Sequence, residues 1–316
     1  MAVSTDTLLD ELVASLQDPE GAAEGLKKLA SRTATAVPPV PDADPTEAHV
    51  ADKSKITRPN GEVYVVRKFG MHDDVRVLQD ARDAGVSILM YGVPGCGKTA
   101  CFEAAFVDVG FHYVPGSGDT EVSDFIGSYI PLPGGDFTWV DGPLIRAMEE
   151  GRPLLVDEVA LIDPKVMAVV YSVMDGRGEL NVTANPSRGV VTAAAGFVVF
   201  GACNPNAPGA RMSEALLSRF QIHAEVTVDF SLLTKMGVER KIVTAAQNLK
   251  VKYEADEVSW YPAIRELLNF KRVDKLMGRE FALANMVAQA PEIDRPVVKD
   301  VLSRAVGAPV SMLEVK

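Results

Sequence analysis

The stretch Gly92-Val93-Pro94-Gly95-Cys96-Gly97-Lys98-Thr99 follows directly on the apolar run Val86-Ser87-Ile88-Leu89-Met90-Tyr91, and together they leave the chain few folds to choose from. The octapeptide is a complete G-x-x-x-x-G-K-[ST] loop, which requires a buried strand before it and a helix behind it; Ala100 to Val107 reads as that helix. Glycines at 92, 95 and 97 let the backbone take positive φ and approach an anion without a Cβ in the way. The loop amides then converge as an anion nest at a helix N-terminus. In this reading Gly92 to Ala100 cradle a nucleotide triphosphate, Lys98 reaches its outer phosphates and the Thr99 hydroxyl holds Mg²⁺.

A second apolar run, Leu154-Leu155-Val156, ends in Asp157-Glu158. Paired with an upstream phosphate loop, this is the form of an acidic strand end in which Asp157 holds Mg²⁺ and Glu158 orients and polarises an attacking water. A third run, Phe197 to Cys203, is followed by Asn204, at the sheet edge where open α/β folds place their ligands. Asn204 there can donate to a γ-phosphate or to the lytic water. Arg219 closes Ser213-Glu214-Ala215-Leu216-Leu217-Ser218-Arg219-Phe220, and on its own terms reads as a surface ion pair.

Short apolar strands alternate with helices from about 86 to 228, the pattern of a parallel sheet covered on both faces. Strands are expected at 62–67, 86–91, 111–114, 153–157, 197–203 and 222–228, with helices at 73–84, 99–107, 121–127, 143–150, 163–174 and 213–218. Two stretches interrupt the alternation. Ser128 to Val140 turns at Pro133-Gly134-Gly135, and Glu179 to Thr192 turns at Asn185 to Gly189, so each is expected as a hairpin. The first would carry Tyr129, Phe137 and Trp139 as exposed aromatics. Beyond Phe230 only helical periodicity remains. The expected fold is therefore an α/β αβα core over 56–229 with an all-α lid over 230–316. Residues 1–55 would add a short amphipathic helix at 5–16 and a proline-rich linker at 33–45.

The net charge of −11 argues against a polyanion-binding surface, so nucleic acid is not the expected partner. The three cysteines, Cys96, Cys101 and Cys203, have no paired metal-ligand spacing, which fits reduced, cytoplasmic usage. Cys96, near a helix N-terminus, reads either as an acidified, oxidisable thiol or, better, as a small residue that fits the loop. The N-terminus lacks the basic and apolar regions of a signal peptide, and no run approaches the roughly 18 apolar residues of a membrane span.

The phosphate loop, Asp157-Glu158, Asn204 and the string ending in Arg219-Phe220 together resemble an AAA+ ATPase. Within that superfamily Ser123-Asp124-Phe125-Ile126-Gly127, Trp139 to Leu144 and Ala147 to Gly151 resemble the MoxR group, which includes the CbbQ/NorQ-type ATPases. The resemblance covers about residues 60–290 and places the two hairpins at that group's helix-2 and pre-sensor-1 inserts. It implies an ATP-hydrolysing hexameric ring that remodels a protein client, often with a partner carrying a von Willebrand factor A domain. By position it makes Asn204 sensor 1 and Arg219 the arginine finger acting on a neighbouring subunit, with Arg211 as fallback. Arg272 is the implied sensor 2, with Arg279 as the alternative, although the Ser-Pro pair that usually precedes that residue is absent. A monomeric P-loop hydrolase or a nucleotide-dependent nucleic-acid factor would share the loop and the acidic pair but not the need for Arg219.

Overall fold

In the computed structural model, residues 54–313 are described; the helix expected over 5–16 and the linker over 33–45 lie outside them. Five strands form the central sheet: β5 (Ile88–Tyr91), β6 (His112–Pro115), β9 (Leu154–Asp157), β12 (Val199–Cys203) and β13 (Ile222–Glu225). Their spatial order is β13-β5-β12-β9-β6, and every neighbouring pair is parallel. The strand that feeds the phosphate loop is thus interior, flanked by β13 and β12. All the strand C-termini, and hence the loops that follow them, open on one edge.

Side-chain alternation explains why these runs read as continuous apolar stretches. Ile88 and Met90 enter one core cluster with Phe200 and Ala202, whereas Leu89 enters the other with Leu154, Val156, Val199 and Cys203. Both faces are dry, so neither needs polar residues. One face is covered by α1 (Asp74–Asp83) and α2 (Lys98–Ala105), the other by α3 (Val122–Ile126), α4 (Pro143–Glu150) and α5 (Pro164–Met174). Phe200 packs between Phe102 and Phe106, with ring centroids 5.3 and 5.6 Å away, and so ties α2 to the sheet. Each fully buried side chain of this size contributes about 1.5–3 kcal/mol.

Both expected hairpins are present. β7 (Gly127–Pro131) pairs antiparallel with β8 (Phe137–Asp141), and β10 (Glu179–Asn181) with β11 (Val190–Thr192). The strand expected over 62–67 is shorter: β2 (Val63–Val65) pairs with β1 (Lys55–Thr57), which the sequence reading did not mark. A further two-residue pair, β3 (Lys68–Phe69) with β4 (His72–Asp73), also escaped it. After α6 (Glu214–Leu217) and β13, the described residues are helical: α7 (Phe230–Lys235), α8 (Arg240–Glu254), α9 (Ile264–Met277), α10 (Arg279–Gln289) and α11 (Arg295–Val306).

Candidate functional site

The chain passes from β5 into α2 through residues 92–97. Gly97 is the N-cap of α2 at φ 93°, a left-handed conformation that a side chain would strain. At Gly92 a Cβ would sit 2.3 Å from the Val226 carbonyl oxygen. The first amides of α2 have no intrahelical acceptor and are free for an anion. They front a cavity of about 340 Å³ lined on this side by Pro94, Gly95, Gly97, Lys98, Thr99 and Ala100. Gly92, Val93 and Cys96 lie behind, and the Lys98 ammonium donates to the Gly92 and Val93 carbonyls at 2.9 and 3.3 Å.

Asp157 and Glu158, at the end of β9, line the same cavity. The Thr99 hydroxyl donates to Asp157 Oδ2 at 3.0 Å, and Tyr113 of β6 donates to the same oxygen at 3.2 Å. Burial, and then the Asp157 charge, push the Tyr113 phenol up to about 12, so it remains a donor. Sequence reasoning missed Tyr113, because only the β6–β9 pairing places it there. Glu158 has φ 46° and ψ 37°, an uncommon conformation for a non-glycine residue, and its backbone NH donates to Asp157 Oδ1 at 3.0 Å. Its Oε2 accepts from the Asn204 backbone NH at 3.2 Å; the Asn204 side chain accepts from the Asn206 NH at 3.2 Å, and Asn204 is not among the residues lining the phosphate-loop cavity. A hydroxyl and a carboxylate converging beside the phosphate loop suit Mg²⁺, which takes few protein oxygens and completes its shell with phosphate and water. Among the described residues no cluster of three or more His, Cys, Asp or Glu offers an all-protein metal cage.

The opposite wall comes from α9. Ile264, Arg265, Leu268, Asn269 and Arg272 line the cavity, and the Arg265 backbone NH donates to the Gly95 carbonyl at 3.2 Å. Arg265, in the first turn of α9, is a second site residue that the sequence reading passed over; its local sequence carries no signal for this, because only the fold brings α9 to the loop. Arg272 is ion-paired with Glu62 across the mouth. Arg279 is not among the lining residues: it pairs with Glu239 and, at 3.1 Å, with Asp274, and lies over the Phe270 ring. A contiguous cavity of about 560 Å³ continues past Gly97 and Ala100, between the apolar β2 hairpin and Leu232, Met236, Ile264 and Leu268.

Arg219 is not brought to this chain's own cavity. Its guanidinium lies 5.4 Å over the Tyr171 ring, and its Nε is 2.9 Å from Asp175 Oδ1 but misaligned for a hydrogen bond. Arg211 is exposed, held through its backbone NH to the Ala160 carbonyl at 2.7 Å.

Two expectations need correction. Cys96 is fully buried, and burial pushes its thiol up in spite of the nearby Lys98 and Arg67 charges, so the acidified reading fails and the space-filling one stands. Of the hairpin aromatics, Tyr129 and Phe137 are exposed, but Trp139 is half-buried against the core. Its indole donates to Asp141 Oδ1 at 2.6 Å and meets Tyr129 edge-on. Arg188 of the second hairpin's turn then grips Asp141 at 3.2 Å and Glu149, linking the hairpins.

Residues 87–220 match the family model described as AAA domain (dynein-related subfamily). An uncharacterized protein of Staphylococcus aureus strain NCTC 8325 is 30% identical over 250 residues, 72% of this chain and 94% of its own. Another, from strain USA300, is 30% identical over 202 residues, 60% of this chain and 76% of its own. A solved structure from Cytophaga hutchinsonii aligns over 76% of this chain and 89% of its own at 18% identity, with a TM-score of 0.42, below the level at which a shared topology follows. Among the described residues no helix is long and apolar enough to cross a membrane.

Proposed function

The chain belongs to the AAA+ ATPases, and from that premise we propose that it hydrolyses ATP to ADP and phosphate as one subunit of a closed ring that remodels a protein client. The observation that carries the hydrolysis is the convergence of phosphate loop, Thr99–Asp157 pair and Glu158 on one cavity. The amides of 95–99 and Lys98 bind the phosphates. Thr99 and Asp157 hold Mg²⁺, which when bound supplies charge neutralisation between the phosphate oxygens. Glu158 accepts a proton from the attacking water, Asn204 orients that water from the adjoining strand end, and the apolar cavity beyond Gly97 takes the base.

In this assignment residues 56–229 are the nucleotide-binding core and 230–316 the lid. Arg265 is the better sensor 2, because it lines the cavity with its side chain lying against the loop at Gly95; Arg272 serves at the mouth. Arg219, turned from its own cavity, acts on the next subunit, and head-to-tail contacts of that kind close into rings. The motif strings and the two hairpins favour the MoxR group and a hexamer, with the exposed Tyr129 and Phe137 facing a client. A protein with a von Willebrand factor A domain is the partner class this reading names. The test is Glu158→Gln, which should bind ATP with near wild-type affinity and fail to turn it over. Undiminished turnover would remove Glu158 as the base.

A further inference from the structure

The carbonyl side of the phosphate loop is held by a residue that lies outside the motif. Arg67, in the link between β2 and β3, donates from Nη1 to the Cys96 carbonyl at 2.8 Å and from Nη2 to the Gly97 carbonyl at 3.3 Å. Its side chain is only 10% exposed. The other edge of the guanidinium is anchored in turn: Nε lies 3.0 Å from the Tyr64 hydroxyl and 3.3 Å from Asp74 Oδ2. Tyr64 donates to the same Asp74 oxygen, while Asp74 Oδ1 accepts the backbone NH groups of Arg67 and Val75 at 3.1 and 2.9 Å. Asp74 is 5% exposed, so Arg67, Tyr64 and Asp74 form a buried polar unit with its hydrogen bonds made.

We propose that Arg67 is a positioning residue of the nucleotide site, setting the two peptide planes that present the Gly97 and Lys98 amides to phosphate. The peptide unit is planar, so a carbonyl fixed on one side fixes the N–H on the other. The Cys96 carbonyl shares its plane with the Gly97 amide, and the Gly97 carbonyl with the Lys98 amide. These amides lie at the N-terminus of α2, where no helical carbonyl restrains them. The Gly97 carbonyl also accepts the Cys101 NH at 3.1 Å, so α2 helps to fix the second plane, while the Cys96–Gly97 plane, next to Gly97 at φ 93°, gains most from the external tie. The guanidinium also polarises the carbonyls it touches, which strengthens the opposite N–H groups as donors. Lysine cannot take its place, because one ammonium cannot span two carbonyls while its far edge is held by Asp74 and Tyr64.

This inference rests on the nucleotide-site reading, and the experiment separates the two. ADP and ATP affinities of wild type, Lys98→Ala, Arg67→Lys and Asp74→Asn are measured by calorimetry, together with the melting temperature of each without ligand and the rise ADP produces. Arg67→Lys should bind ADP and ATP about 10- to 100-fold more weakly, as for loss of hydrogen bonds to a charged donor. Asp74→Asn, which leaves the Arg67 charge but loosens its anchor, should weaken both in the same direction by less. The rise given by ADP should shrink in both variants. A tie that merely joins the β2 hairpin to the core would lower the unliganded melting temperature and leave the affinities as in wild type, and that result overturns the proposal. Should Arg67→Lys not fold, unchanged ADP affinity in folded Asp74→Asn overturns it equally. Wild type that binds neither nucleotide, or Lys98→Ala that binds as wild type does, sinks the nucleotide site itself; a defect in Lys98→Ala with none in Arg67→Lys sinks Arg67 alone.

Discussion

Replacing Arg219 by Ala separates a residue that matters to its own fold from one that matters to a neighbour. Within the chain its attachments are an ion pair to Asp175, with side chains 33% and 48% exposed, and a stacking contact with Tyr171. A half-exposed pair of this kind contributes ~0–1 kcal/mol. The contact with the ring adds about 0.5–1 kcal/mol. Together they predict a loss of under about 2 kcal/mol, or a few degrees in melting temperature. An arginine reaching a γ-phosphate across a subunit boundary is worth ~10³–10⁵ in rate. At 1.36 kcal/mol per decade that is about 4–7 kcal/mol of barrier, well beyond the cost in stability. Arg219→Ala should thus stay folded, bind ATP nearly as wild type does, and lose almost all turnover. The assay is steady-state phosphate release, first on each protein alone and then on mixed rings of Arg219→Ala with Lys98→Ala. An intact finger from the Lys98→Ala subunit then meets an intact loop in the Arg219→Ala subunit, so activity should return. Wild type mixed with Lys98→Ala calibrates how well a ring tolerates a dead neighbour. No recovery where that calibration shows tolerance refutes action in trans, and full activity of Arg219→Ala refutes the finger, leaving Arg211 as the residue to replace.

Trp139→Ala should lower stability by about 1–3 kcal/mol in urea unfolding, since it empties a packed position and orphans its bond to Asp141, whereas Phe137→Ser, at 66% exposure, should stay within about 0.5 kcal/mol of wild type. Equal effects of the two would mean that the hairpin faces are misassigned. All three thiols are buried, and burial pushes Cys96 up, Cys101 to about 12 and Cys203 to about 11. Burial thus disfavours the thiolate at all three positions, and at pH 8 the native protein should resist a disulfide exchange reagent that titrates all three in urea; rapid native labelling would contradict the burial.

The sheet was legible because its strands are buried on both faces. Leu154-Leu155-Val156 and Phe200 to Cys203 have no solvent side, so an unbroken apolar run ending in Asp157 or Asn204 marks both the strand and its functional end. β3 and β4 were illegible for the converse reason: Lys68, His72 and Asp73 are exposed, and two-residue strands leave no period to detect. Trp139 was misread as exposed because a hairpin's own alternation does not say which face meets the core. That is decided by the core cluster it packs on, whose members run from Leu89 to Phe220.

What the sequence concealed at the site is chiefly arginine and tyrosine. The loop motif specifies the groups that face phosphate, since glycine, lysine and threonine are required by local geometry. It says nothing of the groups behind and above the loop, because any element able to deliver a donor will serve. Arg67 reaches Cys96 across 29 positions, Tyr113 reaches Asp157 across 44, and Arg272 meets Glu62 across 210. Arg265 meets Gly95, through its backbone NH, only because α9 folds back over the loop. Each bond depends on tertiary placement, and for the side-chain donors Arg67 and Arg272 a long stem and five N–H groups allow recruitment from many positions. The N-terminal strands and α9 therefore do more than border the cavity: with Arg67 under the loop and Arg265 over it, the loop is gripped from both sides by elements outside its own strand and helix. Nucleotide affinity should accordingly respond to changes in either element even where no phosphate contact is removed.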